Sequence, residues 1–187
     1  LFMAGLPSNV STLINNKTVS FLRRAQTERL GRIADYDIED AFRKTVQENG
    51  RIPDEAGLKC AVEKIAGFPF LMQLVGYRAW DASPESQTIS FSDFAQGIEI
   101  AHREMRDRIL DATYRELSPG DVRFVRAMLA DEGDSRIADL VARLDRSSAQ
   151  VAQYRKRLIE AGVIGERGRG VVGFDLPYFR EYLIEQQ

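Results

Sequence analysis

The sequence has 187 residues, of which 44% are apolar and 29% are charged, as is ordinary for a soluble globular protein. This length suits one medium domain or two small ones. The formal net charge of −2 argues against a generally basic nucleic-acid surface but is compatible with a local basic patch. The single cysteine, Cys60, excludes an internal disulfide, and no apolar run is long enough to cross a bilayer. We therefore expect a cytoplasmic protein.

The chain opens with the apolar run LFMAGL, which Pro7 closes. A continuous run of this kind is typical of a strand buried on both faces of a sheet. A second short strand is expected around Leu30 to Ile33, yet no later segment supplies a parallel sheet. We therefore predict that residues 1–34 are the remnant of an α/β core and that the chain is a fragment of a larger protein.

Residues 35–116 are predicted to form a bundle of four helices. Asp37 is expected to cap the first helix, which runs to about Asn49. The second helix is expected to begin near Pro53, and the third covers Phe70 to Trp80. Because the third helix is apolar on most sides, we expect it at the centre of the bundle.

The fourth helix is predicted from a capping-box pattern, in which Ser90 is followed three residues later by Asp93. Apolar residues then recur at helical spacing over several turns, which indicates a long helix with one buried face. The predicted buried face consists of Phe94, Ile98, Ala101, Met105, Ile109 and Ala112.

Residues 117–187 are predicted to form a winged-helix domain, in which three helices precede a β-hairpin. The second of these helices is expected to run from Ser135 to Leu144 and the third from Ser147 to Ala161. The hairpin is expected to turn at Gly168-Arg169-Gly170, and a last helix packs back on the domain. The predicted fold class is therefore mainly α: a four-helix bundle followed by a winged-helix domain with a short β-hairpin.

The order of these pieces resembles the C-terminal half of AAA+ and STAND-type ATPases, and in particular bacterial proteins described only as ATP-binding or AAA ATPases. Three features carry the resemblance: a strand that ends in Ala4-Gly5-Leu6-Pro7, the corner Gly67-Phe68-Pro69, and a winged helix from Leu117 onward. The resemblance covers essentially the whole chain, and its specificity lies in the order and spacing of short motifs. It implies that the four-helix bundle is a lid that closes over ATP.

The corner Gly67-Phe68-Pro69 has two interpretations. Glycine after one helix and proline at the start of the next is ordinary helix punctuation. The resemblance implies instead that the corner lies against the adenine of a nucleotide. Glycine permits a close backbone approach, a proline ring offers a flat apolar contact, and the following helix directs the positive end of its dipole toward the corner.

Four further residues could belong to the same nucleotide site. The resemblance places Ser8 and Asn9 where such ATPases hold a residue that senses the γ-phosphate, and a polar turn after Pro7 is the alternative. Arg23 and Arg24 lie where a phosphate-facing arginine precedes the last core strand. Ordinary surface arginines on a helix are the alternative for this pair.

The sequence contains no G-x-x-x-x-G-K-[ST] phosphate loop, and no apolar strand ends in acidic residues that would hold Mg²⁺. We therefore predict no catalytic residue and no metal ligand in this chain, and no cofactor that the fragment itself requires. The resemblance implies that ATP and Mg²⁺ are cofactors of a parent ATPase whose catalytic core lies upstream in the same chain.

The predicted recognition helix and the hairpin tip are the candidate DNA-binding surfaces. Outward polar residues of the helix would reach base edges, and arginines of the hairpin would reach phosphate or the minor groove. The predicted DNA contacts are Ser148, Gln150, Gln153, Arg157, Arg167 and Arg169. Because acidic residues offset these arginines, contact with a protein partner stays open as an alternative.

A second class of function needs no ATP. In it the winged helix is a DNA-binding regulator, and the helical bundle dimerises or takes a small ligand. Such a regulator is expected to form a symmetric dimer, because two DNA half-sites call for two readers. Neither function predicts a membrane partner.

Overall fold

The computed structural model describes residues 31–186. Within this range the chain divides into two compact units, residues 31–112 and residues 113–186. The predicted strand LFMAGL lies outside the described residues. The second predicted strand, around Leu30 to Ile33, is not present in its described part, since residues 31–33 form neither strand nor helix. The α/β remnant as a domain stays a prediction. The predicted domain boundary between residues 116 and 117 also stays a prediction.

The fold is mainly α, as predicted, and combines a helical bundle with a small β-hairpin. In the first unit the elements are α1 (Asp35–Glu48), β1 (Ile52–Pro53), α2 (Glu55–Ile65), α3 (Pro69–Ala82), β2 (Thr88–Ile89), α4 (Phe91–Met105) and a π-helical turn (Arg106–Leu110). The chain continues through α5 (Asp111–Glu116) into the elements of the second unit. These are α6 (Pro119–Met128), β3 (Ser135–Arg136), α7 (Ile137–Leu144), α8 (Ser148–Glu160), β4 (Ile164–Gly168), β5 (Val171–Phe174) and α9 (Phe179–Glu185).

In the first unit, α3 and α4 lie in close contact. A Cβ atom on Gly97 would lie 2.7 Å from the backbone nitrogen of Ala79, so a larger residue would push the two helices apart. Phe42 of α1 packs against Phe94 of α4, with ring centroids 6.4 Å apart. Helix α3 buries Leu71, Val75 and Ala79 but is not buried on every side, since Tyr77 is 58% exposed.

The helix starts of this unit correct one prediction and confirm another. Asp37 does not cap α1, because the helix begins two residues earlier and Ala34 occupies the cap position without a side-chain hydrogen bond. Asp37 instead lies in the first turn, where the helix dipole favours a negative charge. The capping box is confirmed: the Ser90 amide donates to Asp93 Oδ2 at 2.8 Å, and the Asp93 amide donates to Ser90 Oγ at 3.2 Å.

The π-helical turn changes which residues the long helix buries. Met105 is fully buried as predicted, but the next buried residue is Leu110 rather than Ile109, and Ala112 is exposed. A π-helical turn contains one more residue than an α-helical turn, so the buried stripe advances by five positions instead of four. The period of 3.6 residues used for the prediction cannot show such a local insertion.

The second unit contains a three-stranded sheet in the order β3-β5-β4, of which the hairpin β4–β5 is as predicted. The short strand β3 was not predicted, since Ser135 and Arg136 were expected to begin a helix. They pair antiparallel with Val172 and Val171 of β5. Two polar residues carry no alternating pattern, and their partners lie far away in the sequence, so local sequence could not indicate this strand.

Helices α6, α7, α8 and α9 contribute to the core of the second unit together with this sheet. Aromatic residues of its C-terminal segment pack in series: the Phe174 and Phe179 ring centroids lie 6.3 Å apart, and those of Phe179 and Tyr182 lie 5.9 Å apart. The largest fully buried side chains of this unit are Phe124, Met128, Leu140, Leu158 and Phe179.

Candidate functional site

The corner between α2 and α3 is a turn in which two successive residues have left-handed backbone conformations. Ala66 has a φ of 51° and Gly67 a φ of 79°. The turn ends α2 with hydrogen bonds from the Ala66 amide to Val62 O at 3.3 Å and from the Phe68 amide to Ile65 O at 3.0 Å. This geometry agrees with helix punctuation, the simpler of the two interpretations of the corner.

Gly67 is buried against the segment that leads into the first unit. The Ile33 amide donates a hydrogen bond of 2.8 Å to the Gly67 carbonyl, and a Cβ atom on Gly67 would lie 2.8 Å from both Ile33 O and Arg32 Cβ. The close approach that glycine permits is therefore already used by the protein's own backbone. The sequence contains no local signal for this contact, because the partners are more than 30 residues apart.

The exposed part of the corner is formed by Phe68 and Pro69. Pro69 is exposed and Phe68 is half-buried, so an apolar ligand can contact both side chains. Phe68 occupies the N-cap position of α3 and supplies no side-chain hydrogen bond to the first turn. The positive end of the helix dipole therefore meets no capping oxygen from Phe68.

The other end of α3 is held by a buried arginine that the sequence analysis missed. Arg51 is 5% exposed, and its guanidinium donates to the carbonyls of Trp80 and Ser83, each at 2.8 Å. Its Cζ atom also lies 4.5 Å from the centre of the Trp80 ring. Arg51 therefore caps α3 at its C-terminus, where the helix dipole favours a cation.

A buried carboxylate, Asp93, lies next to this cap. Burial alone would raise the pKa of Asp93, but hydrogen bonds from Ser83 and Ser90 outweigh burial, and the pKa lies below its usual range. Asp93 therefore stays ionised and links the end of α3 to the start of α4.

The other predicted nucleotide contacts, Ser8, Asn9, Arg23 and Arg24, lie outside the described residues. Gly67, Phe68 and Pro69 lie together only as consecutive residues of one turn.

The predicted DNA contacts on α8 differ in what they already bind. Ser148 and Gln153 are exposed, as a recognition helix requires. Gln150 is exposed too, but it takes part in the cap of α8, since its Oε1 atom accepts from the Ser147 amide at 3.4 Å.

Arg157 is engaged inside the second unit. Its Nη2 atom donates to Asp121 Oδ1 at 2.7 Å and its Nε atom to Asp121 Oδ2 at 3.3 Å, while its Cζ atom lies 5.3 Å from the centre of the Tyr154 ring. Asp121 is 5% exposed, so this contact compensates a nearly buried carboxylate. A DNA contact by Arg157 would have to compete with that ion pair.

Arg167 on the hairpin is engaged in a similar way. Its Nη2 atom donates to Asp175 Oδ1 at 2.6 Å, and Asp134 lies 3.7 Å from its Nε atom. The cross-strand pair Gly165 and Gly173 makes room for this cluster, because a Cβ atom on either glycine would lie 2.1 Å from the carboxylate of Asp175 or Asp134, respectively. The side chain of Arg169, by contrast, is exposed at the hairpin tip.

No group of three or more His, Cys, Asp or Glu residues between residues 31 and 186 is arranged to hold a metal ion. Over the same range, none of the helices combines the length and apolar character needed to cross a membrane.

The comparisons with known proteins find only limited similarity. A family model described as "Domain of unknown function (DUF8462)" matches residues 107–183, which is less than half of the chain. No curated protein matches the sequence. Two solved chains of RuvB from Thermotoga maritima, an AAA+ ATPase, are similar at 14% identity and a TM-score of 0.38, over 82% of this chain and 50% of each RuvB chain. The chain thus spans about half the length of these structures, and a TM-score this low supports no conclusion about fold or function.

Proposed function

We propose that this chain is the lid and winged-helix portion of an AAA+/STAND-like ATPase, in which the start of α3 contacts the adenine of ATP. One observation carries the proposal: the Ile33 amide is hydrogen-bonded to the Gly67 carbonyl. The segment that enters the lid from the proposed core therefore runs directly beside the corner. A nucleotide held where core and lid meet would lie against Phe68 and Pro69.

The exposed side chains at the corner suit an adenine ring. Pro69 and the half-buried Phe68 present apolar surface, and neither side chain carries a hydrogen-bonding group. In this proposal Gly67 is a structural residue that holds the turn against Ile33, and Phe68 and Pro69 make the contact.

The sequence contains no phosphate loop, so the proposal assigns phosphate binding and Mg²⁺ to the core of the parent protein. Gly67 would hold the lid in position, and Phe68 and Pro69 would contact one face of the nucleotide. Closure of the lid on ATP and its release after hydrolysis would then be the conformational signal.

The second unit is proposed to be a winged helix that transmits this signal to DNA or to a protein partner. Its elements follow the order helix, strand, helix, helix, strand, strand, and the first strand joins the hairpin in one sheet. This order supports the winged-helix assignment.

The nucleotide contact can be tested by ATP binding to the parent protein with Pro69→Ala. Pro119→Ala is the matched control, because Pro119 is also an exposed proline in the first turn of a helix, α6. We expect Pro69→Ala to weaken ATP binding by about threefold to tenfold, which corresponds to the loss of one apolar contact. Equal ATP affinities of the two variants would rule out the contact.

The second candidate is a DNA-binding regulator that needs no ATP. It is supported by the surface of α8, which contains no acidic residue from Ser148 to Arg157 and exposes Ser148 and Gln153. Sedimentation of the 187-residue chain separates the two candidates. A regulator that reads two half-sites is expected to sediment as a symmetric dimer, and a lid with a winged helix as a monomer.

A further inference from the structure

The arginines of the second unit fall into two groups, according to whether an ion pair already engages them. Arg143 pairs with Asp131 at 2.5 Å, and Arg155 pairs with Glu166. Arg157 and Arg167 are engaged with Asp121 and with Asp175, as described above. Four arginines on or near the proposed DNA-binding surface are thus neutralised locally.

Arg136 and Arg169 belong to the other group. Both are exposed, and no carboxylate of the residues described in the structure forms an ion pair with either of them. They are 33 residues apart in the sequence, so no local motif connects them.

The sheet register brings Arg136 and Arg169 to the same end of the hairpin. Arg136 of β3 pairs with Val171 of β5, which in turn pairs with Gly168 of β4. Arg169 follows Gly168 directly in the hairpin tip. Both arginines therefore lie at the end of the sheet where the hairpin turns.

The backbone of this tip is anchored. The Ile137 amide donates a 2.9 Å hydrogen bond to the Gly170 carbonyl, which ties the tip to the start of α7. Ser135 is buried and Arg136 is exposed, so the alternation of β3 directs the arginine to the solvent side of the sheet.

We propose that Arg136 and Arg169 form a phosphate-binding pair that contacts the backbone of duplex DNA, and that Arg136 takes the place on this surface that the sequence suggests for Arg167. The inference rests on the proposed DNA contact of the second unit. Guanidinium groups bind phosphate oxygens in a bidentate manner, and two of them at one end of a sheet match the repeated charges of a duplex backbone. The pair adds affinity without reading sequence.

The test uses the 187-residue chain and a mixed-sequence DNA duplex, with affinity measured between 50 and 200 mM salt (about the range in which counterion release is resolved). We expect Arg136→Ala and Arg169→Ala each to weaken binding by about threefold to tenfold at the middle of this range. The slope of log affinity against log salt is negative, and each variant should make it less steep by about one unit, because one phosphate contact is lost.

Two variants serve as controls. Arg123→Ala removes an exposed arginine of α6 that has no ion pair among the described residues, and so corrects for the change in net charge. Arg167→Ala removes the ion-paired arginine of the hairpin. We expect Arg167→Ala to lower the thermal stability of the chain and to leave the salt slope equal to that of Arg123→Ala.

Two outcomes would overturn the inference. If the chain binds DNA but Arg136→Ala matches Arg123→Ala in affinity and slope, the pair is wrong while the DNA contact of the second unit stands. If the unmodified chain binds no duplex even at the lowest salt concentration, the DNA contact and the arginine pair are both wrong.

Discussion

Helices α3 and α6 end in a similar way but differ in how their first turns are capped. Each has a proline in its first turn, and each ends on carbonyls that accept hydrogen bonds from arginines elsewhere in the chain. At the start of α6, Ser118 and Asp121 form a capping box, and Arg157 binds the Asp121 carboxylate. At the start of α3, Phe68 supplies no side-chain cap.

Under the proposed function, the difference between the two starts separates a structural role from a binding role. The start of α6 is closed by its own side chains, so a ligand would gain little there. The start of α3 is held in place through Gly67 and Ile33, and Phe68 supplies no side-chain cap to its first turn. The chain thus stabilises both helices but leaves only one of these two starts open to a ligand.

Removal of the carboxylate at the start of α6 should have the largest effect on stability. Asp121→Ala breaks the capping box and leaves Arg157 without its ion-pair partner, so we expect the free energy of unfolding to fall by about 3 kcal/mol. Chemical denaturation measures this loss. Asp139→Ala, an exposed first-turn carboxylate of α7, is the control and should cost less than about 1 kcal/mol. A loss below 1 kcal/mol for Asp121→Ala would show that the start of α6 does not depend on its side-chain cap.

The arginine at the end of α3 should have the next largest effect. Arg51→Ala removes two hydrogen bonds to carbonyls and the contact with the Trp80 ring, and we expect a loss of about 2 kcal/mol. Arg51→Lys keeps the charge but cannot donate to both carbonyls in the same fork geometry, so it should lose about half as much. If both variants are as stable as the unmodified 187-residue chain in thermal melts, Arg51 is not a cap.

Two glycine variants separate the cost of backbone strain from the cost of close packing at the corner. Gly67→Ala places a residue with a Cβ atom at a φ of 79° and against Ile33 O, and should cost about 2 kcal/mol. Gly50→Ala is the matched control, since Gly50 has a φ of 76° and nothing within 4 Å of the added atom, so only about 1 kcal/mol is expected. Equal losses for the two variants would mean that the contact with Ile33 adds no constraint.

The end of α6, like the end of α3 with Asp93, should be sensitive to acid, because Arg143 holds a carboxylate there. Hydrogen bonds from Arg143 lower the pKa of Asp131 from its ordinary value of 3.8 to about 2. A lowered folded-state pKa stabilises the folded chain above pH 3.8, and this contribution is lost as the pH falls toward 2. The difference in the free energy of unfolding between the unmodified chain and Asp131→Asn should therefore shrink as the pH falls over this interval. A difference that stays constant from neutral pH to pH 2 would contradict the ion pair.

Sequence patterns predicted the features that depend on neighbouring residues. The capping box at Ser90, the hairpin tip between Gly168 and Gly170, and the third helix of the second unit follow from local propensity and turn chemistry, and all are present. The predicted cap at Asp37 was wrong because several acidic residues at this helix start fit the same pattern.

The features that the sequence could not predict depend on distant partners or on a local change of helical period. Arg157 and Arg167 resemble exposed DNA contacts until the fold brings Asp121 and Asp175 to them. The pairing of Arg136 with β5 depends on a strand of two residues. Leu110 is buried in place of the predicted Ile109 because of one π-helical turn. The composition of the helix does not indicate this turn.

The central claim, that the start of α3 contacts the adenine of ATP, is tested most directly by photo-crosslinking in the proposed parent ATPase. An ATP analogue with an azide on the adenine ring is bound, irradiated and mapped by peptide mass spectrometry, with excess ATP as competitor. The account predicts a crosslink within the peptide that contains Gly67, Phe68 and Pro69, and its loss when ATP competes. The account would be contradicted if excess ATP suppresses the labelling but all labelled peptides come from other parts of the protein.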